Sequence, residues 1–139
     1  MTFVDSVESA RAVRVGSRMG MTMPAHCTSS GKALLATLED GGVRELYPKE
    51  KLTGLTSHSI TKRSVLLRQL AEVRLVGFAR SDEESEDEVA SLSVSLGEYG
   101  GARYSLTVSM PKSRMSDVTR EEIAAALAQA VDEVAAFFL

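Results

Sequence analysis

The chain has 139 residues, 44% hydrophobic and 25% charged, with a formal net charge of −3 at pH 7. That length carries one domain with a sizeable core rather than two ordinary ones, and the composition is globular. No apolar run is long enough to cross a bilayer, and Met1-Thr2-Phe3-Val4-Asp5 lacks the pattern of a secretory signal. The single cysteine forms no internal disulfide, so the expected compartment is the cytoplasm and no membrane partner is expected. Tryptophan is absent and no Lys/Arg stripe is interleaved with aromatics, so these residues are not expected to bind DNA themselves.

Phe3 to Glu8 and Ala12 to Val15 have the β-branched and small residues of two short strands, which predicts a hairpin. Met19, Met21 and Met23 alternate with Gly20 and Thr22 up to Pro24, as on an edge strand, and their thioethers suit either core filling or a binding wall. The run Pro24-Ala25-His26-Cys27-Thr28-Ser29-Ser30-Gly31-Lys32-Ala33-Leu34-Leu35-Ala36 then predicts a loop turning into a helix, with Leu34, Leu35 and Leu38 at helical spacing. Its hydroxyls cap the helix or, with the free N–H groups of the first turn, meet a carboxylate or phosphate; both readings stand.

Asp40 is expected to cap a short helix with Val43, Leu46 and Tyr47 inward, stopped by Pro48, and residues 49–59 read as a loop. Thr61 is expected to cap a third helix carrying Leu66, Leu70 and Val73 up to Gly77, followed by a short strand, Phe78-Ala79-Arg80. Ser81 to Glu88 holds six carboxylates and no base, which predicts a solvated loop. The clearest pattern follows. Ser91 to Leu96 and Arg103 to Met110 alternate around Gly100-Gly101, which predicts an antiparallel hairpin. One face carries Leu92, Val94, Leu96, Tyr104, Leu106, Val108 and Met110; the other carries Ser91, Ser93, Ser95, Ser105, Thr107 and Ser109. Short hydroxyls in a row fit a partly covered polar wall, a plain solvent face, or a face packed closely by another element. Residues 115–139 predict a final helix with a Thr119–Glu122 capping box, a Val118–Ile123 staple and one stripe through Leu127, Val131 and Val134.

No catalytic set assembles. Gly31-Lys32 is not a phosphate loop, because His26 stands where the first glycine is needed and Ala33 where a metal-binding hydroxyl is needed. Cys27 reads as a buried structural thiol, and one cysteine with two histidines gives no zinc spacing; no metal or cofactor is expected.

Three segments together resemble the IclR family of bacterial transcriptional regulators. They are the run from Gly20 through Ala36, then Val76-Gly77-Phe78-Ala79-Arg80-Ser81-Asp82-Glu83-Glu84, and the hydroxyl-alternating strand ending Ser109-Met110-Pro111. The resemblance implies the family's C-terminal effector-binding domain over residues 1–139, an α+β fold with a GAF-like or profilin-like antiparallel sheet flanked by helices, and no enzymatic activity. It implies a small-molecule effector, an organic or aromatic acid, and DNA binding only through an N-terminal winged helix that this sequence does not contain. The linking helix and first strand are also missing, so a fragment or a late-starting reading frame is expected, as is a homodimer or homotetramer. By position, the effector's acidic end would meet Thr28, Ser29 and Ser30. Ser81, Ser91, Thr107 and Ser109 match the polar pocket, and Met19, Met21, Met23, Leu34 and Leu35 its apolar wall. Ser81 stands where many members carry Asp and Ser91 where many carry Cys. The competing expectation is a structural oligomerisation domain with a degenerate pocket that pairs with full-length regulators.

Overall fold

A computed structural model describes residues 1–138. Four helices, α1 (Ser29–Leu35), α2 (Asp40–Leu46), α3 (Arg63–Val76) and α4 (Asp117–Phe137), accompany three strands, β1 (Ala79–Asp82), β2 (Val89–Tyr99) and β3 (Ala102–Pro111). The strands form one antiparallel sheet in the order β1-β2-β3, so the fold class is α+β, and β3 is an edge.

The long hairpin follows from its alternation. Leu92 pairs with Val108 and Val94 with Leu106 on one face, Ser93 with Thr107 and Ser95 with Ser105 on the other. Gly100 and Gly101 both take positive φ in the connecting turn, which L side chains resist. The apolar face packs on α4, where Leu92, Val94 and Leu127 are buried with Ile123 and Val131 against them. The hydroxyl face takes α1. A second core joins α1, α2 and α3 through Leu35, Val43, Leu52, Ile60, Leu66 and Leu70.

Several boundaries differ from expectation. The hairpin of residues 3–15 does not form; the backbone pairs only at a Thr2–Thr22 bridge, with Phe3 N–H donating to Met21 O and Gly20 N–H to Phe3 O. Val4, Val7 and Val13 all point outward, and a two-stranded ribbon with no face to bury is marginal in water. Residues 4–18 instead form a strap bonded largely to itself: Glu8 accepts from Ser17 N–H and Arg14, which hold its carboxyl below the usual range. The methionine edge strand is also absent, because Gly20 takes a positive φ and turns the chain, leaving Met19 and Met21 exposed.

Asp40 is the first residue of α2 rather than its cap and pairs with Arg74, and Leu46 faces out. Lys62, not Thr61, precedes α3, whose Ser64 N–H and hydroxyl are taken by Glu50. Ser116, not Thr119, caps α4, and exposed Val118 makes no staple. Leu139, at the end of the last predicted segment, lies outside the described residues. No described helix is long and apolar enough to cross a membrane.

The largest difference is the acidic run. Glu84 is only 8% exposed and its two carboxylate oxygens accept from Lys32 Nζ at 2.9 and 3.1 Å, with Gln69 as the third acceptor at 3.0 Å. Asp82 pairs with Arg120 of α4, Glu83 with Lys112, and Glu86 with Arg18. Thr56 and Ser59 donate to the carbonyls of Glu83 and Glu84. This segment is therefore a hub that ties five parts of the chain together. These four bases lie 29 to 68 positions away in sequence, from Lys112–Glu83 to Arg18–Glu86, beyond any local charge count.

Candidate functional site

The cap of α1 is built from within. Thr28 has an extended backbone and its hydroxyl accepts from Gly31 N–H at 2.9 Å. A Cβ on Gly31 would lie 2.1 Å from Ala25 O, so only glycine lets the preceding 3-10 turn, Ala25–Cys27, fold against the helix. In that turn His26 Nε2 lies 2.7 Å from Thr53 O, and Cys27 is fully buried with its thiol pKa pushed up by desolvation, which makes it a poor nucleophile.

Helix α1 lies over the sheet's hydroxyl face and closes half of it. Ser29 and Ser91 share a hydrogen bond of 2.7 Å, and Ser93 and Thr107 one of 2.8 Å. Ser81, opposite Ser91 in the β1–β2 register, is 1% exposed and its hydroxyl has no partner among the described residues. Towards β3 the cover ends. A groove of about 1290 Å³ opens there between α1, the free edge of β3 and the strap. Ser30 and Leu34 line it from α1, and Ser105, Thr107 and Ser109 from β3. Phe3, beside the Thr2–Thr22 bridge, and Val4 of the strap also line it, with Val134 and Phe138 from the end of α4. Small-molecule pockets span about 300 to 1,000 Å³, so the groove is roomy enough for a metabolite.

Of the residues singled out in the sequence, Ser30, Leu34, Thr107 and Ser109 thus come together on the groove. Thr28, Ser29, Ser81 and Ser91 are brought together beneath and beside α1, where the first, second and fourth are spent on internal bonds. Leu35 is not on the groove but in the helical core. Met19, Met21 and Met23 are not on it either; the turn at Gly20 carries them aside, and Met1 occupies the wall in their stead. At the helix start, where the carboxylate end was expected, the Thr28 side chain caps Gly31 N–H and Ser30 lines the groove.

What the sequence did not reveal is the charge of the groove. Among the described residues, Arg11, Arg14, Arg18, Arg103 and Arg114 line it against one side-chain carboxylate, Asp5. Arg14 pairs with Glu8, Arg18 with Glu86 and Arg103 with Glu98. These arginines are scattered along the chain, so no local motif announces them. A second cavity of about 360 Å³ lies between α3, β1 and Arg120, but its Lys32, Glu84, Asp82 and Arg120 already pair with one another.

Comparison with known proteins places this geometry. The chain is 39% identical over 113 residues to the HTH-type transcriptional regulator TtgV of Pseudomonas putida, covering 81% of the chain and 42% of that protein. It is 30% identical over 128 residues to the regulator KdgR of Dickeya chrysanthemi, covering 91% of the chain and 42% of the relative. The chain therefore spans about two fifths to one half the length of the curated relatives it matches. Among solved structures, Thermotoga maritima IclR superposes with a TM-score of 0.81 at 27% identity, over 94% of this chain and 53% of that one. The inducer-binding domain of a double mutant of the PobR transcription factor from Acinetobacter, in complex with 3-hydroxybenzoic acid, superposes with a TM-score of 0.72 at 27% identity, over 84% of this chain and 67% of that one. The relatives are transcriptional regulators, not enzymes. Residues 1–136 match the family described as bacterial transcriptional regulator IclR C-terminal, and the chain belongs to that family.

Proposed function

We propose that this domain, residues 1–139, is the effector sensor of an IclR-type transcriptional regulator and binds a small anionic metabolite, an organic or aromatic acid, in the groove beside β3. The observation that carries the reading is that a hydroxyl wall, Ser30, Thr107 and Ser109, shares one groove with five arginines. Such a mixture of apolar lining and a few polar groups orients a small ligand. The relative crystallised with 3-hydroxybenzoic acid supports the choice of an acid. Occupancy would draw the strap onto β3 and shift the packing of protomers in a homodimer or homotetramer, which is a population shift in a cytoplasmic regulator whose DNA contacts belong to a separate winged-helix domain.

A thermal-shift screen of organic and aromatic acids tests this. A ligand at 100 times its Kd stabilises by about 2.7 kcal/mol, and Thr107→Val with Ser109→Ala should abolish the shift without unfolding the protein. One observation favours a second reading, a structural oligomerisation domain with a degenerate pocket: Phe137 is 82% exposed beside exposed Phe138 at the end of α4. If no acid moves the melting temperature while Phe137→Ser disrupts self-association, that second reading holds.

A further inference from the structure

We propose that the second cavity, between α3, β1 and Arg120, is a separate binding site for a small apolar α-amino acid. The inference goes beyond the groove reading and does not depend on it, since the two cavities share no lining residue. The cavity holds about 360 Å³, at the small end of ligand pockets, and a molecule that fills so small a space meets all its walls. Four of its charged groups are spent on one another, Lys32 on Glu84 at 2.9 Å and Arg120 on Asp82 at 3.2 Å. What remains is one group of each sign, one from α3 and one from β1. Glu72, exposed on α3, has no cation or hydrogen-bond donor as a partner among the described residues. Arg80 of β1 comes no closer than 3.7 Å to Asp82, too far for a hydrogen bond. Gln69 adds a free donor: its Oε1 accepts from Lys32, which leaves its amide nitrogen without an acceptor among the described residues.

This set matches a molecule that carries an ammonium and a carboxylate close together. Its ammonium goes to Glu72, beside the last turn of α3, where carbonyls without helical partners make the end of the helix partially negative. Its carboxylate goes to Arg80, whose guanidinium is a rigid fork of donors, in a charge-assisted contact. Val73, Val76 and Phe78 supply an apolar wall for the side chain. Apart from His58 the lining is balanced, with Lys32, Arg80 and Arg120 against Glu72, Asp82 and Glu84. A ligand of one net charge would therefore leave one free group unanswered, whereas a zwitterion answers both. The occupant also sits against the clamp on α1, because Gln69 and Glu84 of the cavity wall are the residues that hold Lys32.

The test is calorimetric binding of L-valine and L-leucine, of their amides and of the matching acids without the amino group, to the 139-residue chain. Glu72→Gln and Arg80→Gln probe the two charges, and Glu45→Gln, on α2 and outside the cavity, is the control. Thr107→Val with Ser109→Ala disables the groove, and the analogues are compared in that background so that an acid held in the groove does not enter the comparison. Circular dichroism verifies that each variant is folded. The expected result is that at least one amino acid binds about tenfold or more tighter than its amide and its deaminated acid. E72Q and R80Q should each weaken it about fivefold to tenfold, while E45Q and the T107V/S109A double variant stay within about twofold of the unsubstituted chain. No binding of either amino acid, binding no tighter than that of the analogues, or unchanged binding in E72Q and R80Q overturns the proposal and leaves the groove reading as it was. Loss of amino-acid binding in T107V/S109A with E72Q unaffected also overturns it, by placing the amino acid in the groove.

Discussion

Ser81, Ser91 and Ser93 lie on the same sheet face as Ser105, Thr107 and Ser109, yet the two halves of that hydroxyl surface have different fates. The β1–β2 half is sealed by α1: Ser81 and Ser93 are essentially inaccessible, and Ser91 spends its hydroxyl on Ser29. The β3 half keeps its hydroxyls at a groove whose other lining comes from the strap and the end of α4. One residue pattern thus serves as a polar helix–sheet contact in one place and lines an open groove in the other. The difference lies in what covers it. A helix brings hydroxyls of its own at fixed spacing, whereas the strap brings arginines and no regular backbone pairing.

The contrast can be broken most forcefully at the closed half. Gly31→Ala would place a methyl 2.1 Å from Ala25 O, and prising α1 from its preceding turn should cost about 3 kcal/mol or more, measured by chemical denaturation. Lys32→Met, which leaves Glu84 buried without its cation, should cost about 3 kcal/mol, and adding Glu84→Met should restore much of that loss, since an apolar pair can replace a buried ion pair. Retention of full stability in Lys32→Met alone would show that the hub does not hold α1. Ser29→Ala should cost about 1 kcal/mol by stranding Ser91, and the Ser29→Ala/Ser91→Ala double variant should lose less than the sum of the two single changes.

At the open half the expected stability effects are smaller. Thr107→Val should cost less than about 1 kcal/mol, because Ser93 keeps the carbonyl of Leu106 as an acceptor, while ligand-induced stabilisation disappears. The smallest effect is electrostatic. The Lys112 ammonium, followed by Glu88 N–H, holds the Glu83 carboxyl below the usual range, and Glu83 in turn raises the Lys112 pKa. The stabilisation from the depressed carboxyl is present above the ordinary carboxylate pKa and is lost as pH falls through the lowered value. That from Lys112 is present below the ordinary lysine pKa and is lost as pH rises through the raised one. The melting temperature of Lys112→Met should therefore trail the unsubstituted protein near neutral pH and converge with it in acid; a gap that persists in acid would place the effect elsewhere.

The sequence by itself determined what depends on neighbours along the chain. The β2–β3 hairpin, its hydroxyl and apolar faces, the start of α1 at Thr28–Ser29 and the end of α3 at Gly77 follow from alternation, capping and positive φ. Those signals also carried the family resemblance, which the match over residues 1–136 bears out. Ser30, Leu34, Thr107 and Ser109 were singled out by position in that resemblance, and all four line the groove. Only the tertiary structure decided the rest, because it depends on partners distant in sequence. The acidic run looks self-repelling until Arg18, Lys32, Lys112 and Arg120 are folded against it. Residues 3–15 alternate like strands but remain a strap, since no surface is presented to bury Val4, Val7 or Val13. The position of α1 over half of the sheet decides which hydroxyls are consumed and which face the arginines, and no local pattern encodes where a helix will lie.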